Sequence, residues 1–336
     1  MNTLKQIETI IESGLKNKAY PGGQYALIYN NEVHTNHFGY KSLAPKIKTN
    51  GEELYDIASV TKVIATSTLV HLYIYEGLMD YETYVFEVLK DFPHQNIQIK
   101  DLLAHTSGLP AYIENANDLK TREEVIEAIY NTKLVYEKNT KIVYSCVGFI
   151  TLGLLLETLT NKSLDNLAEE RIFKPLNMTS TTYHPNPLLA APTEYRDDNV
   201  YQGYLVGKVH DGLAYALGNV SGNAGVFSTA RDLAIFIKRL LNNDFIFPKE
   251  VIDKLFNSYI RIEQKDGIYN RSLGWAKPAE DKNSIIYHTG YTGCVIVIDR
   301  KQNQGFVMLT NGVHPKRENN NVFPYRSKII KLLFGY

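Results

Sequence analysis

Strand-like patterns occur at both ends of the chain, and helix-like patterns fill the middle. Five segments carry the strand pattern: 22–30, 32–40, 284–290, 294–299 and 304–311. Asn30 and Asn31 join the first two segments, and asparagine tolerates the left-handed backbone of a tight hairpin turn. The simplest assembly is one antiparallel sheet that is built from both ends of the chain.

Helix-like segments lie at both ends of the chain and between the two groups of strand segments. The first segment is amphipathic, and its apolar face is formed by Leu4, Ile7, Ile11 and Leu15. Residues 327–336 predict a closing helix. Periodic apolar runs predict internal helices at 59–77, 121–131, 144–160, 163–173 and 229–242. Proline and glycine punctuate 183–222, where we expect long loops.

The predicted fold class is therefore α+β: an antiparallel sheet from both termini flanked by helices, with an inserted mainly helical lobe. We expect residues 1–336 to form a single unit, since 336 residues suffice for a large core in two lobes. The α/β lobe takes approximately residues 1–57 plus 270–336. The mainly helical lobe takes approximately residues 58–269.

Composition excludes several classes of protein. The chain is 44% hydrophobic, with 36 basic and 36 acidic residues, which argues against a disordered chain or a nucleic-acid binder. Its two cysteines, Cys146 and Cys294, are expected to be reduced thiols. The first residues lack the apolar core of a signal peptide, and the longest apolar stretch is interrupted at Glu157. We therefore expect a cytoplasmic protein without a membrane span.

One serine and one lysine stand three positions apart in an otherwise apolar helical run, at Ser59 and Lys62. Residues i and i+3 of a helix project from one face, so the two side chains can touch. Burial disfavours the charged form of lysine and is expected to lower its pKa, which would make Lys62 a base. The same spacing at Ser13 and Lys16 lies in a polar surface segment, so the apolar context distinguishes the two pairs.

Two further features complete a possible catalytic site. Tyr144 immediately precedes a predicted helix, where a phenol can point into a cleft. The segment YHTGYTG at 287–293 ends a predicted strand with two glycines, so its backbone can approach a ligand closely. A backbone N–H there, with that of Ser59, could form an oxyanion hole.

The order of these motifs resembles the serine β-lactamases and penicillin-binding proteins, in particular the class C β-lactamase and esterase branch. That family carries S-x-x-K, Y-x-N and K-T-G or H-T-G, which SVTK at 59–62, YSC at 144–146 and HTG at 288–290 follow. The segments 102–110 and 221–233 are also similar to phrases of that branch. The likeness spans nearly the whole chain and implies a β-lactamase/transpeptidase-like fold.

The resemblance implies an acyl-enzyme mechanism. Ser59 would attack a carbonyl, while Lys62 and Tyr144 would share its proton. The backbone N–H groups of Ser59 and Tyr291 would hold the oxyanion, and Thr289 and Gly290 would contact substrate. No cofactor and no metal ion are implied.

Two positions depart from the family pattern. Cys146 replaces an asparagine, and a thiol is a weak hydrogen-bonding group. His288 replaces a lysine that is common at this position, so a fixed cation becomes a group that titrates near pH 6.5. Asn223 in the sequence SGN is an alternative source of the missing amide. His105 is the other candidate histidine, and we interpret it as structural.

The sequence thus predicts a serine hydrolase that acts on small esters, D-amino-acid peptides or, weakly, β-lactams. The alternative is a related ligand-binding protein that is acylated slowly or not at all. The expected partner is a small molecule or a short peptide, with no nucleic acid. The oligomeric state stays open.

Overall fold

The computed structural model describes residues 2–281 and 283–334. The strands within these residues are β1 Gly22–Tyr29, β2 Glu32–Leu43, β3 Lys46–Lys48, β4 Tyr55–Asp56, β5 Tyr195–Asp197, β6 Gln202–Tyr204, β7 Phe227–Ser228, β8 Ile260–Gln264, β9 Gly267–Arg271, β10 Ala276–Lys277, β11 Ile285–Thr289, β12 Val295–Asp299 and β13 Gln304–Thr310. Nine of these described strands form one antiparallel sheet in the order β3-β2-β1-β13-β12-β11-β10-β9-β8, while β4 pairs with β7 and β5 with β6.

The α-helices are interspersed with shorter helical turns. The described α-helices are α1 Asn2–Lys16, α2 Ser67–Tyr75, α3 Val85–Val88, α4 Ile99–Leu103, α5 Arg122–Tyr130, α6 Cys146–Thr160, α7 Leu164–Ala168, α8 Lys174–Leu176, α9 Gly212–Ala216, α10 Ala230–Leu241, α11 Lys249–Phe256 and α12 Phe323–Phe334. A π-helical segment, Lys62–Thr66, leads into α2. Among the described residues, no helix combines the length and the apolar character that a membrane crossing requires.

The sheet joins the two ends of the chain, as the sequence predicts. β1 lies between β2 and β13, with Gly23 opposite both Phe38 and Thr310. Asn30 and Asn31 have φ angles of 49° and 67°, which is the left-handed turn expected for the first hairpin. The α+β fold class is confirmed. The last two positions of the predicted closing helix, 335 and 336, lie outside the described residues.

Alternation along β1 directs side chains to both faces of the sheet. Leu27 faces α1 and α12, whose buried contributions are Ile7, Ile11, Ile329 and Leu333. Ile28 faces the opposite side and joins the larger core of the central helices, with α10 packed directly on β1 and β13. Each fully buried aliphatic side chain of this size contributes about 1.5–3 kcal/mol. The sheet and the helical part therefore share one large core.

The C-terminal strands of the sheet begin at β8, upstream of residue 270, near which we expect the α/β lobe to resume. β8 starts at Ile260 and pairs with β9 at the sheet edge. Its residues alternate between exposed and only half-buried positions, so the hairpin lacks a strong apolar signal. The segment 183–222 is largely irregular, as expected, but contains β5, β6 and α9.

Candidate active site

Ser59 lies in a strained turn at the base of a cleft. It sits in the short helical turn Ala58–Val60 and is partly exposed between two buried neighbours. Ala58 has a φ of 47°, and a left-handed backbone costs a residue with a side chain roughly 1–2 kcal/mol. Asp56 stabilises the turn, because its carboxylate accepts from the N–H of Ala58 at 2.8 Å and from that of His210 at 2.7 Å.

Lys62 reaches Ser59 from the first turn of the following helix. Its Nζ donates to Ser59 Oγ at 3.0 Å and to the backbone oxygen of Asn223 at 2.9 Å. Cys146 Sγ lies 3.6 Å away, and the ring of Tyr144 lies under the ammonium at 4.9 Å from its centroid. The lysine is fully buried. The structure therefore brings Ser59, Lys62, Tyr144, Cys146 and Asn223 together.

The expected lowering of the lysine pKa is wrong. Burial does lower the pKa of Lys62, but charge interactions with Cys146 and Tyr144 outweigh it, and the net shift is upward. The thiol and the phenol themselves have raised pKa values, because burial opposes their ionisation more than Lys62 favours it. Lys62 is therefore held as an ammonium whose charge stabilises anions at the atoms around it.

Tyr144 is positioned by its neighbours in sequence and by His105. Ser145 caps α6, accepting from the N–H of Gly148 at 3.1 Å, and its own N–H donates to His105 Nδ1 at 3.0 Å. The His105 ring lies 4.7 Å from that of Tyr144. His105 thus supports the tyrosine segment and not Ser59. The Tyr144 hydroxyl is buried and has no hydrogen-bond partner of good geometry among the described residues.

The HTG segment at 288–290 lies at the end of β11, beside the nucleophile turn, with Gly290 directly after the strand. A Cβ on Gly290 would lie 2.6 Å from the backbone oxygen of Ile57, so only glycine allows this approach. Tyr291 follows, with its backbone oxygen held by Asn320 Nδ2 at 2.8 Å and its side chain 49% exposed. The backbone around Tyr291 is therefore fixed while its ring faces the cleft.

The expectation that His288 titrates near pH 6.5 is wrong. The side chain is buried, and its pKa lies well below 6.5 because of burial and of the nearby Lys62 and Arg271 charges. Its Nδ1 is 3.0 Å from the oxygen of Thr289, which can only accept. The ring is therefore neutral with its proton on Nδ1. Its unprotonated Nε2 has no partner among the described residues.

Two cavities meet at Ser59. The first, of about 350 Å³, contains two guanidinium groups that the sequence did not single out, Arg271 and Arg326. It is lined by Ser59, Tyr144, Arg271, Ala276, Tyr287, His288, Thr289, Gly290, Tyr291, Phe323 and Arg326. Arg271 Nη1 is buried without a partner, and no carboxylate among the described residues pairs with this side chain. Arg326 donates to the Gly290 oxygen at 2.9 Å.

No local signal marks these arginines. Arg271 ends β9, a strand that the sequence did not reveal, and Arg326 belongs to α12, far from β9 in the sequence. Only the folded sheet brings both into one cavity.

The second cavity, of about 410 Å³, shares Ser59, Tyr144 and Tyr291 with the first. Its other lining residues are Ala58, Tyr112, Cys146, Arg196, His210, Asp211, Gly212, Ala224 and Arg317. The ring of His210 stacks on that of Tyr291 at 5.7 Å. Four of these residues, Arg196, His210, Asp211 and Gly212, come from segment 183–222, for which the sequence predicts long loops.

Asn223 lies next to the thiol that replaces the family's asparagine. Its Oδ1 accepts from Ser221 at 2.7 Å, which leaves Nδ2 buried and without a partner among the described residues. The amide is close enough to Cys146 to lower the thiol pKa against the larger effect of burial. Asn223 therefore brings an unused amide donor to the side of Lys62 where Cys146 cannot supply one.

Known proteins share this sequence pattern and this architecture. The model of the Beta-lactamase family matches residues 7–328. The "N-acetylmuramyl-L-alanine amidase" of Bacillus subtilis (strain 168) is 30% identical, with 95% of this chain and 84% of that protein covered. The "Putative D-alanyl-D-alanine carboxypeptidase" of Escherichia coli O157:H7 is 29% identical, with 90% of this chain and 82% of that protein covered.

Solved structures agree in fold. A penicillin-binding protein homologue from Pyrococcus abyssi, described as octameric, superposes with a TM-score of 0.78 at 20% identity, covering 99% of this chain and 77% of that one. A β-lactamase/D-alanine carboxypeptidase from Pseudomonas syringae gives a TM-score of 0.79 at 16% identity, covering 100% of this chain and 99% of that one.

The fold is β-lactamase/transpeptidase-like, and the family match supports a serine hydrolase. The chain belongs to the Beta-lactamase family. This membership agrees with the order of the three motifs in the sequence.

Proposed function

We propose that the protein is a peptidase and esterase that forms an acyl-enzyme on Ser59. Ser59 Oγ bonds to the substrate carbonyl carbon, and the bond from that carbon to the leaving nitrogen or oxygen breaks. The serine proton passes through Tyr144 to the leaving group. Water then attacks the ester carbonyl carbon and gives a proton to the phenolic oxygen, which passes its own proton to Ser59 Oγ as the ester bond breaks, so that the acid leaves and Ser59 is restored.

Lys62 and two backbone N–H groups stabilise the negative charges that form in the proposed reaction. The Lys62 ammonium, 3.0 Å from Ser59 Oγ, stabilises negative charge on Ser59 or Tyr144 while the proton moves. The N–H groups of Ser59 and Tyr291 receive the oxyanion. Loss of one such donor costs roughly 100- to 1000-fold in turnover in well-studied cases.

The unpaired guanidinium of Arg271 carries the proposal about substrate. A buried cation without a carboxylate partner is costly unless a ligand supplies the anion, and Arg271 lines the same cavity as Ser59. We infer a substrate whose free carboxylate lies just beyond the bond to be cleaved. His288, Thr289 and Gly290 would line the path of this end. A D-alanyl carboxypeptidase activity fits, and the name of the Escherichia coli relative supports it.

Cys146 favours a second candidate, ester hydrolysis with slow turnover of peptides and weak turnover of β-lactams. The thiol cannot replace a strong amide donor and acceptor. If Asn223 does not take over that contact, amide substrates would acylate the protein slowly while activated esters would still react.

The deciding experiment labels the protein with a fluorophosphonate and with a tagged penicillin and locates each adduct by mass spectrometry. Turnover of a nitrophenyl ester and D-alanine release from an acyl-D-alanyl-D-alanine peptide are followed in parallel. Ser59→Ala should abolish labelling and both activities. Ser13→Ala is the matched control, because Ser13 has the same spacing to Lys16 on the exposed side of α1. Label on another residue, or turnover that survives Ser59→Ala, would refute the mechanism.

A further inference from the structure

The second cavity is lined by three charged residues, Arg196, Asp211 and Arg317, that have no role in the proposed reaction. This inference rests on the proposed function, because it takes the leaving group and its carboxylate to occupy the cavity of Arg271. The acyl half of the substrate then extends from Ser59 into the cavity lined by Cys146, Asp211 and Arg317. The chemistry of that wall determines which acyl groups fit.

Both arginines of this cavity already have anionic partners. Arg196 pairs with Asp198 at 2.6 Å. Arg317 holds Glu194 through two parallel contacts, Nε to Oε1 at 2.7 Å and Nη2 to Oε2 at 2.6 Å. A bidentate pair of this kind satisfies both the guanidinium and the carboxylate. Neither arginine is left to attract an anionic acyl group.

Asp211 is different. Among the described residues that line the cavity it is the one carboxylate, and it forms no ion pair with any of them. One oxygen accepts from the N–H of Ala214 at 2.9 Å as the cap of α9. The other has only a long contact of 3.5 Å with the hydroxyl of Tyr112. That second oxygen can accept a further, stronger donor.

Asn223 provides an independent sign that a ligand belongs on this side. Its buried Nδ2 has no acceptor among the described residues, and its side chain lies beside the thiol of Cys146, which lines the cavity. An amide oxygen of a bound acyl group would supply the missing acceptor. A peptide-like acyl group with a donor at one end and an amide near Ser59 would satisfy both groups.

We propose that this cavity selects acyl groups that carry a primary ammonium, which pairs with Asp211. The substrate class is thus a short peptide with a free amine on its acyl side and a free carboxylate on its leaving side. Asp211 acts as a specificity residue, since it recognises substrate and takes no part in proton transfer.

The test compares substrates that differ by one charge. The peptide pair is Nα-acetyl-L-lysyl-D-alanyl-D-alanine with its ε-amine either free or acetylated. The ester pair is the nitrophenyl ester of 6-aminohexanoic acid and that of 6-acetamidohexanoic acid. We expect the free amines to be preferred about tenfold in kcat/KM, the size of a charge-assisted hydrogen bond in a half-exposed setting.

Asp211→Asn should reduce this preference to about one in both pairs. Asparagine is also a good helix cap, so α9 should keep its start. The ratio of two substrates is the readout, so a general loss of activity in the variant cancels. Asp244→Asn, which removes an exposed carboxylate outside both cavities, should retain the preference.

The outcomes separate the two proposals. Equal rates for the amine and its acetylated form, or a preference that survives Asp211→Asn, would overturn the role of Asp211. A preference for the nitrophenyl ester of glutaric acid over that of 6-aminohexanoic acid would also overturn this role. It would indicate Arg196 or Arg317 as the recognition group. If neither peptide is cleaved but the ester pair shows the preference, the carboxypeptidase proposal fails while Asp211 retains its role.

Discussion

Lys62 Nζ donates a hydrogen bond to Ser59 Oγ at 3.0 Å from a side chain that is fully buried. No carboxylate among the described residues forms an ion pair with this lysine, and its other close acceptor is the backbone oxygen of Asn223. Burial opposes the ammonium form, and the hydrogen bonds and the neighbouring thiol and phenol offset that cost. A buried charged group with a shifted pKa in a cleft is typical of a functional site.

Replacing Lys62 should therefore separate activity from stability. Lys62→Met should lower kcat/KM on a nitrophenyl ester by roughly 1000-fold or more, because the charge that stabilises the oxygen anions is lost. The free energy of unfolding should stay the same or rise, since methionine removes a buried charge at similar volume. Ester turnover and urea unfolding measure the two effects. Lys16→Met is the matched control, and equal activity of Lys62→Met and the native protein would contradict the assignment.

Tyr144→Phe should remove proton transfer and leave the fold intact. The hydroxyl is buried without a well-formed hydrogen bond among the described residues, so its loss should change the unfolding free energy by less than about 1 kcal/mol. Ester turnover should fall roughly 100- to 10,000-fold, the usual contribution of a positioned acid or base. Stopped-flow kinetics with an ester can show whether acylation, deacylation or both are slowed. Unchanged rates would exclude Tyr144 as the proton carrier.

Arg271→Gln should discriminate between substrates. We expect kcat/KM for an acyl-D-alanyl-D-alanine peptide to fall roughly 10- to 100-fold, because a charged hydrogen bond to the carboxylate is lost. The same peptide with a C-terminal amide and neutral esters should change little. Arg261→Gln, at an exposed pair with Glu280, is the control. A uniform loss on all substrates would indicate a structural role.

We expect the pH dependence of the kinetics to show no titration step of His288 near pH 6.5. Its folded pKa is well below that value, so the ring is neutral from pH 6 to 8. We expect the ratio of kcat/KM for carboxylate and neutral substrates to be flat over this interval. His288→Lys introduces a fixed cation and should raise this ratio. A decline of the native ratio as pH rises through 6.5 would show that the imidazolium recognises the carboxylate.

His71 should make the protein less stable in mild acid. Burial, assisted by the Lys254 charge, lowers its pKa from 6.5 to about 4. The unfolded chain takes up the proton below 6.5, whereas the folded ring stays neutral, with Nε2 donating to Leu273 and Nδ1 accepting from Tyr81. Its contribution is present above pH 6.5 and is lost as pH falls toward 4, by up to about 3 kcal/mol.

The stability effect can be measured by urea unfolding between pH 7 and pH 4.5. His71→Gln should be less stable at pH 7, yet its unfolding free energy should fall less steeply with acid than that of the native protein. His34→Gln, at an exposed strand position, should follow the native slope. Parallel slopes for His71→Gln and the native protein would contradict the prediction.

The strands at both ends and the order of the three motifs could be recognised in the sequence because each has a local pattern. Short apolar, β-branched runs predicted β1, β11, β12 and β13, and two asparagines predicted the first turn. The β8–β9 hairpin was missed because its edge position leaves it half-exposed and weakly patterned. Arg271 was missed with it, since its position at Ser59 depends on how the sheet closes.

The sequence by itself determined the α+β class, the family and the identity of Ser59, Lys62 and Tyr144 as candidates, because residue type, spacing and periodicity are local properties. Only the tertiary structure decided the pKa shifts of the buried groups and which residues line the two cavities at Ser59. The raised pKa of Lys62 and the lowered pKa of His288 arise from burial and from neighbours that are distant in sequence. Arg271 and Asp211 lie in cavities on two sides of Ser59 because β9 and the start of α9 converge there in space.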